Sequence, residues 1–114
     1  MKLIDVFPDE SAYNISEGIV RARFRHSVYE KPVPLKPGEI FPYQIELQPT
    51  ANVFKSGHRI RVHISSSNWP LWDNNPNTGE RLADAIRTIP ANQLVYQDST
   101  RPSHLTIYVV PNEE

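Results

Sequence analysis

Gly57-His58-Arg59-Ile60-Arg61-Val62-His63-Ile64-Ser65-Ser66-Ser67-Asn68-Trp69-Pro70 is the stretch whose reading decides the fold class. Ile60, Val62 and Ile64 alternate with Arg59, Arg61 and His63. That period of two predicts a strand over Arg59–Ser66 with its apolar residues turned inward. Gly57 opens it, and the Ser/Asn run ending at Pro70 closes it. Beyond lies a polar loop, Leu71-Trp72-Asp73-Asn74-Asn75-Pro76-Asn77-Thr78-Gly79, with Trp69 and Trp72 at its mouth. Aromatics and amides delivered by a strand into a loop are what a binding surface would use, and they supply no catalytic machinery.

Working outward, the same alternation marks Lys2–Phe7, which stops at Pro8-Asp9, and Ile19–Arg25, where Val20, Ala22 and Phe24 oppose Arg21, Arg23 and Arg25. The Lys31–Gly38 stretch is rich in proline, which donates nothing to a strand ladder, so it reads as an extended connection. Ile40–Leu47 follows as a strand, with Pro42 demoting its first half to an edge, and Val53–Phe54 is a short segment before Arg59. Leu82, Ala85, Ile86 and Ile89 sit at helical spacing, which allows one or two turns before Pro90. Gln93–Gln97 and Leu105–Val110 complete the strands. Strands at this spacing without helical crossovers predict an all-β domain, a jelly-roll-type β-sandwich.

Composition narrows the function. The 114 residues bound a single domain and carry twelve basic against thirteen acidic side chains, a formal charge of −1 with no basic tract, so nothing points to nucleic acid. Cysteine is absent, which removes disulfides and thiolate metal sites and fits a cytoplasmic setting, while remaining compatible with secretion. No apolar run is long enough for a membrane span, and Asp5 comes too early for a signal peptide.

Four stretches carry a resemblance: Leu3-Ile4-Asp5-Val6-Phe7-Pro8-Asp9, Gly18-Ile19-Val20-Arg21-Ala22-Arg23-Phe24-Arg25, the run from Gly57 to Gly79, and Arg101-Pro102-Ser103-His104-Leu105. In order and spacing they resemble the C-terminal β-domain of the X-Pro dipeptidyl-peptidase and cocaine-esterase family of serine hydrolases. That family also includes α-amino acid ester hydrolases and glutaryl-cephalosporin acylase-like proteins. Glu10 departs from the pattern, which usually has Gly after Pro-Asp. The resemblance implies a galactose-binding-like sandwich whose partner is an α/β-hydrolase domain carrying the Ser-Asp-His triad. None of those three residues maps onto this chain. It also implies that residues 1–114 are a single partial domain lacking its N-terminal strands, with Lys2–Phe7 at an opened sheet edge. Leu3, Ile4 and Val6 would then favour a homo-oligomer through that edge, with only Lys2 and Asp5 as charged gatekeepers.

No Gly-x-Ser-x-Gly elbow occurs, and Ser65, Ser66 and Ser67 sit at a strand end where hydroxyls bond local backbone. His58 and His63 would point to opposite faces of one strand; His26 stands alone, and His104 reads as a locally bonded side chain at a strand start. Asp73, Asn75 and Asn77 match the first three alternating positions of a calcium loop and Asp84 its twelfth. Gly79 falls one place late, however, and Pro76 stiffens the middle, so turn formation is favoured over metal binding and no cofactor is implied.

Trp69 and Trp72, with Phe41 and Tyr43, form either a stacking platform or interdomain packing, and packing is favoured. The leading expectation is a non-catalytic accessory domain that buttresses a serine hydrolase and completes its cleft. Its surface residues would be Trp69, Trp72, Asn74, Asn75 and Asn77. A carbohydrate- or ligand-binding module using the same residues is the runner-up, and a free-standing interaction protein is the third class.

Overall fold

The computed structural model describes residues 1–111. Five strands and two 3₁₀ turns make up its regular structure: β1 (Lys2–Val6), β2 (Ala12–Glu17), a 3₁₀ turn at Ala22–Phe24, β3 (Arg59–His63), a second at Leu82–Asp84, β4 (Gln97–Asp98) and β5 (Arg101–Pro102). The domain is all-β, with two antiparallel sheets: β2-β1-β3, and the hairpin β4-β5. The hairpin is the only second sheet among the described residues. Among the described residues no helix is long and apolar enough to cross a membrane.

The expected open edge at Lys2–Phe7 is corrected here, because β1 is the central strand. It pairs with β2 on one side, from Lys2↔Glu17 to Val6↔Ala12, and with β3 on the other, from Lys2↔His63 to Val6↔Arg59. Its apolar residues explain the position. Leu3 faces one side of the sheet and Ile4 and Val6 the other, so a strand apolar on both faces belongs in the middle. Leu3, Ile4 and Val6 are the buried core, each worth about 1.5–3 kcal/mol for the apolar surface it removes from water. An oligomer pairing strands through β1 has no unpaired ladder to use. Asp5, expected as an exposed gatekeeper, is buried as well.

The turn after β1 accommodates the Glu10 departure. Phe7 N donates to Ser11 O at 2.9 Å and Glu10 N to Phe7 O at 3.0 Å, with Glu10 at φ 67° in the left-handed region where glycine is usual. Asp9 braces the turn, its carboxylate accepting from Ser11 Oγ at 2.6 Å and Ser11 N at 3.0 Å. Those bonds hold its carboxyl below the usual range. In β2 the register slips between Leu3↔Ser16 and Ile4↔Asn14, which leaves Ile15 as a bulge residue.

Four other expectations change. The alternation of β3 is present, but its inward face is not covered: Ile60, Val62 and Ile64 are 48, 37 and 51% exposed. The Ile19–Arg25 run turns at Ala22–Phe24 instead of pairing, and the Arg25 guanidinium donates to Ala22 O and Val33 O while lying 4.2 Å over the Phe41 ring. Ile40–Leu47 forms no strand; the one backbone bond to the outer edge of β2 comes from the next residue, Gln48 N to Glu17 O at 3.1 Å. Ser16 Oγ adds a bond to Gln48 O at 2.6 Å. Gly18 makes this approach possible, since a Cβ there would lie 1.9 Å from Glu46 O. The Leu105–Val110 run is likewise unpaired. The chain is consequently elongated, with a radius of gyration of 17.0 Å, against about 13 Å for a compact domain of this size.

Candidate functional site

The loop expected to carry function is stiffened locally. Trp72 N donates to Asn68 O at 3.1 Å, and the intervening Trp69–Pro70 peptide is cis. Ser67 Oγ donates to Asn74 Oδ1 at 2.8 Å. Asn75 Oδ1 accepts from Asn77 N at 3.0 Å, a side-chain turn that fits asparagine, with Asn77 itself in the left-handed region at φ 60°. Asn77 Nδ2 then donates to Ile89 O at 2.9 Å, and Ile89 N to Pro76 O at 2.9 Å. Pro76 is buried beneath this pair.

The loop is anchored by residues that sequence reasoning did not single out. Asn68 Nδ2 donates to Glu17 Oε2 at 3.0 Å, tying the loop to β2. Arg23 Nη2 donates to Gly79 O at 2.8 Å and Glu80 O at 3.1 Å. Only the glycine at 79 hinted at a turn needing such a brace. Trp69 and Trp72 make no ring-to-ring contact with each other or with Phe41 and Tyr43 among the described residues. Trp69 is 67% exposed, while Trp72, 37% exposed, lines a shallow groove of about 290 Å³ with Glu17, Gly18, Ile19, Glu46, Leu47 and Gln48. Asn74 borders a different cleft of about 360 Å³, with Pro76, Leu82 and Ile86 among its walls. Phe41 is occupied by Arg25.

The most buried acid–base contact among the described residues lies elsewhere. His58 Nδ1 sits 2.9 Å from Asp5 Oδ1, both side chains buried, beneath the Phe7 ring, whose centroid is 4.2 Å from the imidazole. Phe7 also packs on Tyr13 at 5.0 Å. A carboxylate and an imidazole are two of the three parts of a hydrolytic triad, but no hydroxyl joins them among the described residues. Ser65 Oγ bonds Ser67 O and Ser67 N, and Ser67 Oγ is held by Asn74. His104 Nδ1 lies 3.0 Å from Pro102 O, the local bonding expected of it. The Asp5–His58 pair fixes β1 to the start of β3 and offers no nucleophile.

The comparisons say what kind of domain this all-β unit is. Residues 1–106 match the family described as the X-Pro dipeptidyl-peptidase C-terminal non-catalytic domain, and the chain belongs to it. It is 39% identical over 111 residues to the cocaine esterase of Rhodococcus sp. (strain MB1 Bresler), a match that covers 96% of this chain and 19% of that protein. The chain thus spans about a fifth of the length of that curated relative. No solved structure matches it.

Proposed function

We propose that this chain is a single partial domain that buttresses the α/β-hydrolase catalytic domain of a serine hydrolase-like protein and borders its substrate cleft. The observation that carries the reading is the exposure of Trp69, Leu71 and Trp72 on a loop already rigid through its own hydrogen bonds. A rigid apolar loop loses little entropy when it docks, so covering it yields most of its hydrophobic gain. Trp69 and Trp72 supply the apolar contacts, and the amides of Asn74, Asn75 and Asn77 the polar rim. Membership of a non-catalytic family and similarity to an esterase support a hydrolase as the partner. Docking would also supply the cover that a jelly-roll sandwich needs over Ile60, Val62 and Ile64.

The test uses the cocaine esterase relative with its matching fifth deleted. Added chain should bind the remainder and raise its thermal midpoint. A Trp69→Ala, Trp72→Ala double variant should lose that binding while keeping its own unfolding transition. Equal binding by the variant would remove the loop from the interface, and no binding by either form would overturn the buttressing role. The chain alone should turn over neither a chromogenic ester nor an X-Pro anilide.

A further inference from the structure

Glu17, the last residue of β2, connects the sheet to the tryptophan loop. Its Oε2 accepts from Asn68 Nδ2 at 3.0 Å, and Asn68 O accepts from Trp72 N at 3.1 Å. One asparagine therefore has its side chain on the sheet and its backbone carbonyl on the second tryptophan. Among the described residues, this is the only hydrogen bond between residues 68–79 and the β2-β1-β3 sheet. The others stay within the loop or join it to Ser67, Glu80, Arg23 and Ile89.

The Glu17 side chain is largely buried, and its other partner, Lys2 Nζ, lies 3.9 Å away, an ion contact too long for a hydrogen bond. A carboxylate acceptor strengthens the bond to Asn68 beyond that of a neutral pair. Glu17 also walls the groove that Trp72 lines. The shape of that groove depends on how far residue 72 swings from β2, and the Glu17–Asn68 bond restrains that swing.

We propose that Glu17 is the positioning residue of the docking surface: by accepting from Asn68 it holds Trp72 against the β2 groove and leaves Trp69 turned outward. Its effect on binding rests on the buttressing reading, whereas its placement of the loop does not.

The test compares Glu17→Ala, Asn68→Ala, their combination and Glu17→Gln in a Trp69→Phe chain, whose emission reports Trp72 alone. Glutamine keeps an oxygen for Asn68 and gives up the charge facing Lys2. Each alanine variant should redden Trp72 emission and raise its quenching by acrylamide. The combination should go no further than either, and Glu17→Gln should stay near the parent. With Trp69 restored, each alanine variant should bind the domain-deleted cocaine esterase relative about tenfold more weakly, and Glu17→Gln within about threefold of wild type. Asn68→Ala breaks the same bond from the loop side, so the test does not require Glu17→Ala to fold. Parental emission or unchanged affinity in the alanine variants would overturn the proposal. So would a Glu17→Gln chain as impaired as Glu17→Ala, which would assign the effect to Lys2. Failure of every form to bind, wild type included, would overturn the buttressing reading and the docking role with it, while the emission series would still decide whether Glu17 places the loop.

Discussion

The β2-β1-β3 sheet and the region from Ile64 to Pro102 are organised by opposite rules. The sheet joins residues far apart in sequence through ladder bonds, three buried aliphatic side chains and the buried Asp5–His58 contact, whose members lie 53 residues apart. The later region relies mainly on short-range polar bonds, with asparagine, serine, threonine and aspartate closing turns to residues two or three positions away. Both regions are ordered by hydrogen bonds, but only the first removes much apolar surface from water. Stability should therefore concentrate in the sheet, leaving the loops as a shaped surface on a small core.

The largest effect that could break this comparison is expected at His58. His58→Ala leaves the Asp5 carboxylate buried without its partner and should cost about 3–5 kcal/mol in chemical denaturation. Asn75→Ala removes one exposed turn bond and should cost about 0.5–1.5 kcal/mol. Comparable losses at the two sites would erase the distinction between the regions. Next comes Gly18→Ala, which forces the segment around Glu46 away from β2 and should cost about 1–3 kcal/mol; a neutral result would mean that segment is not held against the edge.

Glu10→Gly should act in the other direction. Relief of a left-handed non-glycine residue is worth about 1–2 kcal/mol, and the exposed Arg59 pair returns at most about 1 kcal/mol. A rise in the denaturation midpoint is the expected outcome, and a fall would assign the turn's stability to the Glu10–Arg59 contact.

The smallest effect concerns the β4-β5 hairpin. Asp98 accepts from Arg101 Nε and N and from Thr100 Oγ1 and N, and these bonds, those from the Arg101 side chain first, hold its carboxyl below the usual range. A depressed folded value stabilises the hairpin above the unfolded carboxylate range, and that contribution fades as pH falls through the folded value, below about pH 4. Resonances of Thr100 and Arg101 should shift in that window, and Asp98→Asn should abolish the response.

Legibility in the sequence followed the same division. β1 and β3 were readable because alternation over five or more residues is a backbone signal, and the family resemblance rested largely on those stretches. β2 went unread although Tyr13 and Ile15 alternate with Asn14 and Ser16, and its bulge at Ile15 leaves polar Ser16, rather than Tyr13, buried. Ile19–Arg25 carried the signal without becoming a strand, since alternation shapes a strand only where a neighbour offers a ladder. The position of β1 was written in its consecutive Leu3-Ile4 and Val6, apolar on both faces, whereas the expected open edge came from the preceding strands that the family resemblance implies. Its partner His58 could not be found by spacing, because a contact across 53 residues leaves no local pattern. The loop amides were readable as turn formers, whereas the braces from Asn68 and Arg23 depend on tertiary placement.

The central position of β1 also sets an order in time. Its pairing with β2 crosses only the Phe7–Ser11 turn, the kind of hairpin that closes in about 1–10 μs. Its pairing with β3 must bring together chain ends separated by the span from Asp5 to His58, so that ladder forms later and at greater entropic cost. The Asp5–His58 contact closes the same span and forms with that ladder. Interactions made after the rate-limiting barrier slow escape from the native state more than they speed arrival. If the pair is made after that barrier it is a latch, and His58→Ala should speed unfolding while leaving the folding rate nearly unchanged.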